Sequence, residues 1–225
     1  MEAARTQSVK QEEIRQTENV KVNDSVGYLF MKRTLDITAS LAGLLFLSPL
    51  FLVLAILIKI EDPKGPVFFK QVRVGKDGKE FNMYKFRSMV SNAEELLKDL
   101  LNQNEVSGLM FKMKEDPRIT KVGKFIRKTS IDELPQLLNV LKGEMTLVGP
   151  RPPLMREVKE YNLHHRKRLL VKPGCTGVWQ VSARNDVGFE EMVEMDINYI
   201  EGRNIVSDLR LIILTIVVMI NSKAY

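Results

Sequence analysis

Apolar and polar positions alternate in blocks along the chain, and the blocks predict its elements. Residues 1–30 are almost wholly polar until their last few positions and carry no apolar period, so they read as a flexible lead-in. Residues 37–58, ITASLAGLLFLSPLFLVLAILI, contain no charge. Roughly 20 such residues suffice to cross the hydrocarbon core of a bilayer. Ser48-Pro49 interrupts this segment near its middle, and proline removes a backbone donor and crowds the carbonyl four residues back. Lys32 and Arg33 stand before the segment, and Lys59, Lys64, Lys70 and Arg73 follow it, so basic flanks that mark the cytoplasmic face occur at both ends. A helix that enters at the interface, breaks at Ser48-Pro49 and returns to the same face satisfies both features better than a plain span.

Downstream, short apolar runs flank Lys76-Asp77-Gly78-Lys79, which predicts a β-hairpin tip. Ser91 and Glu94 form a capping-box pattern ahead of the amphipathic LLKDLL. Asp116-Pro117-Arg118 turns the chain into TKVGKFIRK, where Val122, Phe125 and Ile126 share one helical face. PQLLNVLKG predicts a further helix ended by Gly143. The GPRPP run at 149–153 is a stiff loop. Residues 154–170 read as one basic amphipathic helix and 171–187 as loop with a short strand. Two helices close the chain. The apolar run 211–220 is too short to span, so it packs on the first segment or lies in the interface. The fold class expected is α+β, mostly helical: a membrane foot over 31–60 and one compact domain over 61–225.

Composition adds a direction. The net charge of +6 favours an anionic partner. Cys175 is the one cysteine, which excludes an internal disulfide framework and a cysteine-based zinc site and suits a packing role. No cleavable signal-peptide pattern precedes the apolar segment.

Phosphate chemistry calls for carboxylates on a divalent metal and for arginines on phosphate oxygens. RKTSIDELPQ at 127–136 brings Arg127, Asp132 and Glu133 together ahead of Pro135, which suits a first helical turn. Ser130 with Glu133 is equally readable as an ordinary capping box. Arg151 between two prolines, Arg184 after WQVSA, and Asp196 on the next helix are further candidates, each of a type that is commonly a plain surface charge. His164-His165 is a poor metal pair, because adjacent residues on a helix point apart. KPGCTG matches no phosphate-binding glycine motif.

The ordered series KRTLDI, Ser48-Pro49, GPVFFKQVRVG, YKFRSM, DPRIT, RKTSIDELPQLLNVLKGEMTLVGPRPP, KPGCTGVWQVSARN and DINYI resembles the bacterial sugar transferases, the monotopic phosphoglycosyl transferases, from about Met31 to Met219. The resemblance implies a cytoplasm-facing domain on a re-entrant helix in the bacterial inner membrane, broken at Ser48-Pro49, with Lys32 and Arg33 at the membrane interface. It implies that Asp132 attacks the β-phosphate of a UDP-sugar, releasing UMP, and passes the phosphosugar to undecaprenyl phosphate. It further implies that Glu133 binds Mg2+, and that Arg127, Arg151, Arg184 and Asp196 belong to the phosphate-binding set. The product begins exopolysaccharide or capsule assembly, and UDP-galactose or UDP-glucose is the expected donor. With so polar a lead-in, a minimal form of the family is expected.

A basic helix over 154–170 would rest on anionic lipid or face solvent. A homodimer through the foot is compatible with the sequence. One broken apolar segment does not build a polytopic transferase, and a nucleic-acid binder has no need of it.

Overall fold

A computed structural model describes residues 20–100, 113, 116–182 and 187–221. Helix α1 runs from Val26 to Glu61 and is continuous across Pro49. It therefore begins five residues before the expected foot, and the boundary placed at residue 30 falls inside it. Val20 is buried and the Asn23 amide donates to the Arg203 carbonyl at 3.0 Å, so residues from 20 onward belong to the packed fold. The Ser48 hydroxyl donates to the Leu45 carbonyl at 2.8 Å. That carbonyl is the one Pro49 leaves without its helical N–H, which is how the helix accommodates the proline.

One stripe of α1 (Tyr28, Lys32, Asp36, Ser40, Leu54 and Ile58) is buried against the rest of the chain. Leu41, Leu45, Phe46, Leu52, Val53, Ile56 and Ile60 are exposed. Among the described residues this is the only helix long and apolar enough to cross a membrane. Its apolar outer face has no protein partner here, as lipid-facing surface would not.

Strands β1 (Phe68–Val74) and β2 (Glu80–Phe86) form the expected antiparallel hairpin, with Asp77 and Gly78 at positive φ in the tip. Opposite pairs such as Arg73 with Phe81 and Gln71 with Met83 put Arg73, Gln71, Met83 and Lys85 on one face. The other face carries Phe86, which packs with Leu54, Ile58 and Ile126. Helix α2 (Ala93–Leu100) follows, and the Ser91 amide donates to Asp62 instead of opening a free helix end. Helix α3 (Lys121–Lys128) is capped by Thr120, whose hydroxyl accepts from the Gly123 amide. Ile126 is fully buried, but Phe125 is 56% exposed, so the expected apolar face divides between core and surface.

Helix α4 (Gln136–Lys142) ends at Gly143, whose φ of 80° is the left-handed stop that glycine provides. Strand β3 (Thr146–Val148) then leads into the Pro-Arg-Pro loop. The single basic helix expected over 154–170 is instead α5 (Met155–Lys159), α6 (Leu163–Arg166) and a 3-10 turn over Lys167–Leu170. Asn162 causes the break, because its side chain accepts from the His165 amide and starts a new helix. Strand β4 (Gly174–Thr176) pairs with β3 in parallel. A Cβ on Gly174 would lie 2.1 Å from the Gly149 nitrogen, so KPGCTG serves a close backbone pass between strands. Helices α7 (Val178–Ser182), α8 (Phe189–Gly202) and α9 (Ile205–Asn221) complete the chain. Helix α9 buries Leu211 in the core while Val206, Ile213 and Ile216 stay exposed. The architecture is α+β and mostly helical, as expected.

Candidate active site

The turn between α3 and α4 sets the acid pair. Ser130 adopts φ 56°, ψ 16°, a left-handed conformation that costs a non-glycine residue on the order of 1 kcal/mol. It makes no side-chain cap, so the capping-box alternative for Ser130 and Glu133 is not realised. The 3-10 turn Ile131–Glu133 follows, and Pro135 leads into α4. The two acids consequently meet different surroundings. Asp132 is 9% exposed. Burial and the adjacent Glu133 charge push its carboxyl up to about 6, against the pull of Lys85 and Arg127. Glu133 faces a cleft lined by Arg73, Met83, Lys85, Gln136, Arg151 and Gln180, among others. Burial raises its pKa as well, but Lys85, Arg151 and Arg73 together outweigh that and hold it below the usual carboxylate range. Lys85 Nζ lies 2.6 Å from Glu133 Oε1.

Of the residues expected from the sequence, Glu133 and Arg151 line the cleft, while Asp132 sits beside Glu133 in the turn, within the electrostatic reach of Arg127. Arg184 lies outside the described residues. Asp196 does not line the cleft. It is 1% exposed and paired with Arg168 at 2.8 Å, and burial pushes its carboxyl up to about 6 despite that partner. Lys32 and Arg33 both turn into the protein. Lys32 Nζ is buried, 2.8 Å from Asp208 and 3.0 Å from the Val148 carbonyl. Arg33 donates to the Val140 and Leu141 carbonyls at the end of α4, which orphan helix carbonyls favour. Both residues expected at the membrane interface thus tie this end of α1 to the domain.

Lys85, Arg73, Gln136 and Arg168 were not anticipated. The period-2 alternation of the hairpin already groups Arg73 with Lys85 on one face, and that pattern was available to find them. Cys175 also lines the cleft, where burial drives its thiol pKa far upward, so it is an unreactive wall.

A buried acid near neutrality, an ionised acid beside it, and three cationic side chains suit attack on a phosphate ester. The sequence matches the bacterial sugar transferase family over residues 27–222. The chain belongs to that family.

Three relatives of the family illustrate the likeness. The galactosyl transferase CpsE of Streptococcus agalactiae is 50% identical over 194 residues, covering 86% of this chain and 43% of its own. An undecaprenyl-phosphate galactose phosphotransferase of Salmonella typhimurium is 47% identical over 190 residues, covering 83% and 40%. The exopolysaccharide production protein ExoY of Sinorhizobium fredii is 39% identical over 189 residues, covering 82% and 83%. The chain thus spans less than half the length of the first two relatives and most of the third.

Proposed function

We propose that the protein transfers a hexose-1-phosphate from a UDP-sugar, UDP-galactose or UDP-glucose, to undecaprenyl phosphate, as the first membrane step of exopolysaccharide or capsule synthesis. The observation that carries this reading is the division of labour within one acid pair. Asp132 is desolvated with a pKa near neutrality, and Glu133 is held ionised in a cleft with Arg73, Lys85 and Arg151. The names of the relatives favour galactose.

In this reading a carboxylate oxygen of Asp132 attacks the β-phosphorus of the UDP-sugar. The bond from that phosphorus to the bridging oxygen of the α-phosphate breaks, and UMP leaves with the electron pair. An acyl phosphate links Asp132 to the sugar phosphate. An oxygen of undecaprenyl phosphate then attacks the same phosphorus, restores the Asp132 carboxylate and yields undecaprenyl diphosphate-sugar. Desolvation makes the ionised Asp132 a stronger nucleophile than a solvated carboxylate, because less hydration is lost on attack. Lys85, Arg127 and Arg151 stabilise the spread phosphoryl charge, with Arg184 as a fourth cation.

The donor set suits magnesium. This ion takes one or two carboxylates together with substrate phosphates, and Glu133 is an ionised oxygen ligand facing the cleft. Glu133 would hold it, and its charge would neutralise the diphosphate oxygens.

We place α1 as a re-entrant foot in the inner membrane, bent at Ser48-Pro49, with the domain in the cytoplasm. Two facts support this. Lys32 near one end binds the Val148 carbonyl, and Leu54 and Ile58 near the other pack on Phe86 and Ile126 of the same domain. A crossing helix would put a hydrocarbon core of about 30 Å between these two contacts, and a domain on one side of the bilayer would not make both. The Ser48 hydroxyl also satisfies the Leu45 carbonyl freed by Pro49, as a bend at that depth requires.

The test is UMP release by the full chain in nanodiscs carrying undecaprenyl phosphate and Mg2+, with each UDP-sugar in turn. Release with one sugar, lost in Asp132→Asn, supports the reading. Release of UDP instead of UMP would mean transfer of a bare sugar and sink it.

A further inference from the structure

The loop that presents Arg151 is almost devoid of its own donors. Pro150, Pro152 and Pro153 have no backbone N–H, so their carbonyls and that of Arg151 are the main handles by which the protein can fix this stretch. All four carbonyls are taken. The Gly174 amide donates to the Pro150 carbonyl at 2.8 Å, and the Val74 amide to the Pro153 carbonyl at 3.0 Å. Between them, two buried guanidinium groups do the same work from side chains. Arg168 Nη2 donates to the Arg151 carbonyl at 3.3 Å, and Arg73 Nη1 to the Pro152 carbonyl at 2.9 Å.

Each of these arginines is itself oriented. The Arg168 Nε meets Asp196 Oδ2 at 2.8 Å, and its Nη1 donates to the Tyr161 hydroxyl. Arg73 gives Nε and Nη2 to Gln71 Oε1 at 3.1 and 2.7 Å. Arg168 is 3% exposed and Arg73 6%, whereas the Arg151 side chain is exposed and lies over the Trp179 ring, 5.8 Å from its centroid.

We infer that Arg168, held by Asp196 and Tyr161, is a positioning residue that sets the Arg151 side chain in the cleft through the Arg151 carbonyl, with Arg73 fixing the next carbonyl. Asp196 therefore serves the site from two removes and touches no phosphate. The fork geometry is what the role demands. A guanidinium can bind a carboxylate, a hydroxyl and a carbonyl at fixed mutual angles, and an ammonium cannot. The inference rests on the proposed phosphate-binding role of Arg151 and deepens it.

Trp179 is the single tryptophan of the chain, so its emission reports on the Arg151 side chain above it. The experiment compares Arg151→Ala, Arg168→Lys and the double variant in nanodiscs, reading kcat/KM for UMP release from UDP-galactose and Trp179 emission. Arg168→Lys is expected to lower kcat/KM by about tenfold or more. It should also shift emission in the same direction as Arg151→Ala, and the double variant should be no worse than Arg151→Ala alone. Losses that multiply in the double variant, or emission unchanged in Arg168→Lys, overturn the inference. Arg73→Lys, read in the same two ways, replaces Arg168→Lys if circular dichroism shows that the latter does not fold. A folded wild type that releases no UMP from any UDP-sugar would defeat the functional reading, while the emission comparison would still decide whether Arg168 sets the loop.

Discussion

The Lys85 ammonium lies 2.6 Å from the Glu133 carboxylate, and this contact distinguishes two acids that are neighbours in sequence. Lys85 lowers the pKa of both, but only Glu133 adds the direct hydrogen bond, and it falls below the carboxylate range while Asp132 stays near 6. Separated pKa values in an adjacent pair are the mark of separate roles. Lys85→Met should therefore act on both acids. Its UMP release should fall at least about tenfold at pH 7, with an increased Mg2+ requirement as Glu133 becomes easier to protonate. A magnesium titration of initial rates checks this, and an unchanged requirement would contradict it.

Asp132→Asn should abolish turnover and stabilise the protein. The native carboxyl is raised from an ordinary 3.8 to about 6, so folding disfavours its ionised form. The cost is absent below the ordinary pKa, grows as pH rises, and is complete above about 6. At pH 7 it is about 3 kcal/mol. Denaturant melts of wild type and variant should diverge between about pH 4 and 6 and stay apart above that range.

The rate should follow the same group. If ionised Asp132 is the nucleophile, kcat/KM should fall on the acid side with a limb centred near pH 6. Lys85→Met should move the limb upward, because Lys85 lowers the Asp132 pKa. A limb near pH 4, unmoved by the substitution, would assign the nucleophile elsewhere.

Asp196 should behave in the opposite way to Asp132 in stability. It is the buried partner of Arg168, and removing it leaves an uncompensated buried guanidinium. Asp196→Ala should cost about 3–5 kcal/mol, read as a fall in denaturant midpoint. Pairing it with Arg168→Met should return part of that loss, and a fully additive double variant would contradict the pairing.

Re-entry makes a topological prediction. In whole cells, Met31→Cys and Ile60→Cys should both resist a membrane-impermeant thiol reagent applied from outside. Labelling of either would mean that α1 crosses the membrane. Cys175, the native cysteine, is walled into the cleft and gives little background.

The elements legible from sequence were those fixed by local chemistry. The Asp77-Gly78 tip, the Gly143 stop and the Pro-rich loop each follow from what one or two residues permit in φ and ψ. The acid pair was legible as a cluster, but the difference between its members was not, because it depends on Lys85 arriving from β2. Partners remote in sequence were equally out of reach. Lys32 meets Asp208 and Asp196 meets Arg168 only in the folded chain, so neither buried pair can be read from one residue alone. Asn162 was a visible helix starter inside 154–170, but the basic periodicity on either side of it concealed the break.

In the proposed mechanism Asp132 carries the phosphosugar between the two substrates. The most direct measurement omits the lipid acceptor. The purified protein, freed of undecaprenyl phosphate, is incubated with Mg2+, UDP-galactose (or the UDP-sugar that proves active) and isotopically labelled UMP, and the label is followed into the UDP-sugar. A covalent intermediate on Asp132 predicts exchange in wild type and none in Asp132→Asn. A protein that turns over once lipid is restored but shows no exchange without it would transfer the phosphosugar directly, and the nucleophilic role of Asp132 would be wrong.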